Sequence, residues 1–134
     1  MKKAFIIDDE KMVITMLSEY LVKFNFVCQS AQNGVDVIKK IKEFLPDIII
    51  CDLNIQPGNG ITILKEIKED MQLKNIPFIF ISALEDDDTI LEGLSAGAAG
   101  YISKSLDLEE FKEKLMRIIE RRLSPKNNEE NTPS

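Results

Sequence analysis

Histidine is missing from all 134 residues, and no other absence excludes as much chemistry. Without imidazole the chain lacks the commonest general base and the commonest nitrogen ligand for metals, and it cannot carry a phosphohistidine of its own. Tryptophan is absent as well. No apolar run approaches the ~20 residues that span a bilayer. The opening Met1-Lys2-Lys3 leads into an apolar run that stops at Asp8, too soon for a signal peptide, so the chain is expected to be cytoplasmic with no membrane insertion. Positive charge is also short. Lysine and arginine number 17 against 23 aspartate and glutamate, a net charge of −6 that repels nucleic acid and anionic membranes and argues against direct nucleic-acid binding. What chemistry there is must run on carboxylates, hydroxyls and amines.

What is present is a repeated pattern of short apolar runs ending in polar groups. Ile48-Ile49-Ile50-Cys51 empties into Asp52, Ala4-Phe5-Ile6-Ile7 into Asp8-Asp9, Phe78-Ile79-Phe80-Ile81 into Ser82, and Gly100-Tyr101-Ile102-Ser103 into Lys104. Such continuous apolar runs read as strands buried on both faces. Phe26 to Ala31 reads as a further strand. Between them, helical periods appear at Val13, Met16, Leu17, Tyr20, Leu21 and Phe24, then at Val35, Ile38, Ile41 and Leu45, and then at Ile63, Leu64 and Ile67. A fourth helix is expected from about Asp86 to Ala96, and a fifth from Leu108 to Leu123 with Leu108, Phe111, Leu115, Ile118 and Ile119 inward. The remainder, 124–134, has no apolar periodicity and reads as a disordered tail or linker remnant.

Five strands alternating with five helices specify an α/β domain over residues 1–123: one five-stranded parallel sheet with helices on both faces, in the flavodoxin-like order 2-1-3-4-5. In that order the first and third strands are neighbours, which brings Asp8 and Asp9 beside Asp52. Ligands of such sheets bind outside the carboxyl ends of the strands. The same order puts a strand between those of Cys28 and Cys51, about 9.6 Å of separation from strand spacing. That is beyond the ~7 Å a disulfide bridges. Two adjacent acids beside a third repel one another, and a hard divalent cation is the usual remedy. Taken alone, either acid reads equally well as the cap of the first helix. The run Glu85-Asp86-Asp87-Asp88 is read only as acids favoured at a helix start.

With these residues placed, the chain resembles the response-regulator receiver domain, the phospho-accepting half of two-component signalling, from Lys3 to about Leu123. The resemblance rests on Asp8-Asp9, Asp52, Gly60, Ser82-Ala83, the segment Ala96 to Tyr101, and Lys104. It implies that Asp52 accepts a phosphoryl group from a partner histidine kinase or histidine phosphotransfer protein. Lys104 and Ser82 assist that transfer. Asp9, Asp52 and the backbone carbonyl of Asn54 bind Mg2+ or Mn2+ directly, and Asp8 binds through water. Ser82 and Tyr101 form the switch, and a downstream effector reads the face made by the fourth helix, fifth strand and fifth helix. The implied activity is signalling, with no enzymatic turnover beyond the chain's own phosphorylation and dephosphorylation. The sequence departs from the family's habit at Ser105, where a proline usually follows the lysine, and at Ile55-Gln56-Pro57 after the acceptor. Two alternatives stand beside this reading. One is a phosphatase of the haloacid dehalogenase type, whose Asp-x-Asp spacing Asp8-Asp9-Glu10 lacks. The other is a receiver-like binding module that is never phosphorylated.

Overall fold

The computed structural model describes residues 1–83 and 86–123. The expected tail and Glu85 of the acidic run therefore lie outside the described residues. Strands β1 (Lys2–Ile7), β2 (Phe26–Ala31), β3 (Ile48–Asp52), β4 (Phe78–Ser82) and β5 (Gly100–Ser103) alternate with helices α1 (Lys11–Val22), α2 (Val37–Phe44), α3 (Gly60–Glu69), α4 (Asp87–Ser95) and α5 (Leu108–Leu123). The sheet is parallel throughout, in the order β2-β1-β3-β4-β5. β1 therefore lies between the strands of Cys28 and Cys51, and both thiols are free.

Side chains alternate across the sheet, so each central strand feeds two separate apolar layers. On one side Phe5, Ile49, Phe78 and Phe80 pack with Val37 and Ile41 of α2 and with Ile63, Leu64 and Ile67 of α3. On the other, Ile6, Ile48, Ile50, Ile79, Ile81 and Ile102 pack with Leu17 and Leu21 of α1 and with Phe111, Leu115, Ile118 and Ile119 of α5. Burying an aliphatic or aromatic side chain of this size contributes about 1.5–3 kcal/mol. The central strands are the most completely buried part of the molecule.

The helices differ from expectation at their ends. α1 stops at Val22, and Phe24, read as part of its apolar stripe, is 47% exposed with its ring edge-on to Tyr20. Asp36 takes a left-handed conformation, φ 55°, which turns the chain just before α2 and shifts the phase of its buried face. Val35 is consequently exposed, and Val37 points inward in its place. Leu45, also left-handed, caps the same helix and is exposed, and Pro46 follows. Leu108 opens α5 but faces water. At Phe24, Val35 and Leu45 the helical period ran one or two residues beyond the helix that packs. α4 begins as the acids suggested: Asp86 accepts a hydrogen bond from the Asp88 amide (3.1 Å), and Thr89 Oγ1 donates to its other oxygen (2.8 Å).

Candidate functional site

Chain direction brings the carboxyl ends of β1, β3, β4 and β5 together. Asp8 follows β1 directly, and its amide donates to the Ala31 carbonyl (3.1 Å), which extends the ladder and buries the side chain completely. Asp8 Oδ1 accepts the Glu10 amide at 2.8 Å. Asp8 Oδ2 lies 2.9 Å from Lys104 Nζ, an ion pair by distance, but the line-up is too poor for a hydrogen bond. Burial pushes the Asp8 carboxyl above its ordinary range, and the Asp52 charge adds to that, while Lys104 and the Glu10 amide pull the other way. Asp9 is exposed on the rim.

Asp52 ends β3 and is 5% exposed. Its Oδ1 accepts from the Asn54 amide (3.1 Å), and its Oδ2 accepts from Lys104 Nζ (3.2 Å). Position 60 fixes the loop that follows. The Gly60 amide donates to the Leu53 carbonyl (2.8 Å), and a Cβ there would stand 2.7 Å from the Asp52 carbonyl oxygen and 3.0 Å from Leu53 Cα. Only a residue without a side chain lets α3 start so close beneath Asp52. Asn59 caps that helix by accepting from the Thr62 amide at 3.0 Å. The cis peptide bond recorded among the described residues is Gln56–Pro57, so Lys104–Ser105 is not one.

Ser82 ends β4 and is buried. Its carbonyl accepts two hydrogen bonds, one from the Lys104 amide (2.8 Å) and one from Tyr101 Oη (3.3 Å). Tyr101 is half-buried, its ring against the layer that holds Phe80. Lys104 follows β5 and reaches back across the cleft. Desolvation works against its charge, but Glu10, Asp8 and Asp52 outweigh it and hold the ammonium's pKa above the ordinary lysine range. Asp9, Glu10, Asp52, Asn54, Ser82, Ala83 and Lys104 line an open cleft of about 530 Å³.

Every residue singled out in the sequence for a site is thus at this one edge, with Tyr101 a step behind it. Glu10 is the addition. Its Oε1 accepts from Lys104 Nζ at 2.8 Å, the shortest contact that ammonium makes. Nothing local signals this, because the partners are 94 residues apart and a glutamate before a helix reads as a helix start.

The family model described as response regulator receiver domain matches residues 4–116. Over 120 residues the chain is 32% identical to the chemotaxis protein CheY-3 of Vibrio cholerae, covering 89% of this chain and 92% of that one. It is 36% identical over 115 residues to the probable C4-dicarboxylate response regulator DctR of Bacillus subtilis, covering 84% of this chain and 50% of that one. The chain therefore spans nearly all of one kind of relative and about half of another. Among solved structures, the phosphorylated cyanobacterial phytochrome response regulator RcpA superposes with a TM-score of 0.79 at 29% identity, covering 92% of this chain and 94% of that one. A two-component response regulator from Clostridium difficile gives 0.80 at 27%, covering 92% and 100%. On the match across residues 4–116, the chain belongs to the response regulator receiver domain family.

Proposed function

We propose that the chain is a phosphorylation-dependent signalling switch in which Asp52 is the acceptor. The observation that carries this reading is the Asp52 carboxylate, buried at the mouth of the cleft with Lys104 Nζ on its Oδ2. A carboxylate oxygen of Asp52 attacks the phosphorus of a phosphohistidine on a sensor kinase or phosphotransfer protein. The P–N bond breaks, its electron pair leaves on the imidazole, and the imidazole takes a proton. Since the 134 residues contain no histidine, the donor lies outside them. Charge then accumulates on the transferred oxygens, where Lys104 supplies a point charge and Ser82 a hydroxyl. The phosphorylated state of the similar RcpA supports the reading. A haloacid dehalogenase mechanism has no support from the family match or from the spacing of Asp8 and Asp9.

A divalent cation fits the same cleft. Oxygens of Asp8, Asp9 and Glu10 lie within 4.8 Å of one another, and Asp8 Oδ2 is a buried acceptor without a hydrogen bond. All are hard donors of the kind Mg2+ or Mn2+ takes. On this reading Asp9, Asp52 and the Asn54 carbonyl would hold the ion and Asp8 would act through water. When bound, the ion offsets negative charge crowded at the attacking and transferring oxygens.

The result is read by an effector at α4, β5 and α5, where Leu91 and Leu94 of α4 stand exposed and Tyr101 of β5 is half-buried. The setting is cytoplasmic on this reading. Among the described residues no helix is long and apolar enough to cross a membrane.

Intact mass after treatment with phosphoramidate tests the assignment. One phosphoryl group should add in the presence of Mg2+ and none in its absence or in Asp52→Asn. Equal labelling of Asp52→Asn would place the acceptor elsewhere.

A further inference from the structure

Lys104 is already engaged before any phosphoryl group arrives. Its Nζ donates to Glu10 Oε1 at 2.8 Å and to Asp52 Oδ2 at 3.2 Å, with Asp8 Oδ2 at 2.9 Å completing three carboxylates around one ammonium. The three are not alike. The Asp8 and Asp52 side chains are 0% and 7% exposed, whereas the Glu10 side chain is 60% exposed. Its backbone is fixed from both sides, by the Glu10 amide on Asp8 Oδ1 and by its carbonyl accepting from the amides of Val13 (3.0 Å) and Ile14 (3.3 Å). A fixed backbone delivers a long carboxylate to one place. That place is the outer side of Lys104.

The ammonium carries its three N–H donors on one nitrogen and already faces three carboxylates, so a new anion beyond Asp52 competes first with the exposed one, Glu10. We propose that Glu10 is a positioning residue for Lys104, holding its ammonium toward the cleft rim until a phosphoryl group competes for it, and so setting how readily the cleft accepts that group. The proposal rests on the reading of Asp52 as acceptor. It assigns Glu10 no contact with the phosphoryl group, only an effect through Lys104.

Binding of beryllofluoride, a phosphoryl mimic, at saturating Mg2+ tests it in a double-mutant cycle. Glu10→Gln should tighten binding roughly two- to fivefold, the range expected for release of a partly exposed ion pair. The same substitution should change nothing in a Lys104→Gln background. Equal tightening in both backgrounds would reduce Glu10 to a general negative charge and overturn the proposal, as would no tightening with Lys104 present. If Lys104→Gln binds too weakly to measure, the NMR signals of the Lys104 ε-methylene decide. They should shift in Glu10→Gln and stay in place in Glu19→Gln, which removes an exposed acid elsewhere on α1. Unmoved signals in Glu10→Gln also overturn it. A wild-type protein that binds no beryllofluoride at all would instead remove the acceptor reading, and this inference with it.

Discussion

Asp8 shows what burying a carboxylate beside the cleft costs. Its carboxyl is fully buried, and burial raises its pKa, so the charged form is the disfavoured one. A group raised in the folded state stabilises folding below its unfolded pKa, and that contribution is lost as pH rises through the folded pKa. Asp8→Asn keeps the Oδ1 acceptor for the Glu10 amide and removes the charge. In EDTA it should melt above the wild type at pH 7, with a smaller gap at pH 4. A gap that widens toward acid would reverse the sign argued here. A divalent cation offsets the same charge by another route. A ligand that binds only the folded state stabilises it by about 2.7 kcal/mol at a hundredfold excess over Kd. Magnesium should accordingly raise the melting temperature, and Asp9→Ala should abolish most of the rise. A melting curve indifferent to millimolar magnesium would count against the ion site.

Among the helices, α4 is the least anchored. α5 buries four residues and α3 five, but the one buried position of α4 is Gly93, where a Cβ would lie 2.6 Å from the Phe80 ring. A helix seated on so little apolar surface opens at low free energy. Amide hydrogen exchange should find α4 the least protected of the five helices, and protection equal to that of α5 would contradict the ranking. Strands and helices are legible in the sequence wherever an apolar run has a polar stop: Ile48 to Asp52 is readable at both ends, and β4 at its Ser82 end, although Ile76-Pro77 reads as opening that strand and the structure starts it at Phe78. Helix ends were less so. The left-handed Asp36 re-phased α2, and Phe24 and Leu108 kept a helical period without a core to face. Of the site, the strand-end residues were readable because strand direction alone collects them. Glu10 was not, since its role depends on how far a lysine reaches across the assembled sheet.

At the scale of the molecule, the question is how a change at Asp52 becomes visible elsewhere. The Ser82 carbonyl binds both the Lys104 amide and the Tyr101 hydroxyl, so β4 and β5 are joined at the cleft by the residue that lines it. A displacement of Ser82 toward a phosphoryl oxygen would be felt at Tyr101, the half-buried ring on the proposed effector face. Ser82→Ala should therefore remain phosphorylatable at Asp52 while the Tyr101 side-chain NMR signal, expected to shift on phosphorylation of the wild type, stays still. If the signal moves equally in Ser82→Ala, that coupling is wrong. The sheet itself decides which half of the molecule can take part. The apolar layer beneath α2 and α3 and the one beneath α1 and α5 share no side chain, and Tyr101 belongs to the first. Either layer could thus be repacked without touching a side chain of the other, leaving Asp52 where it stands while the surface around Tyr101 takes a new shape.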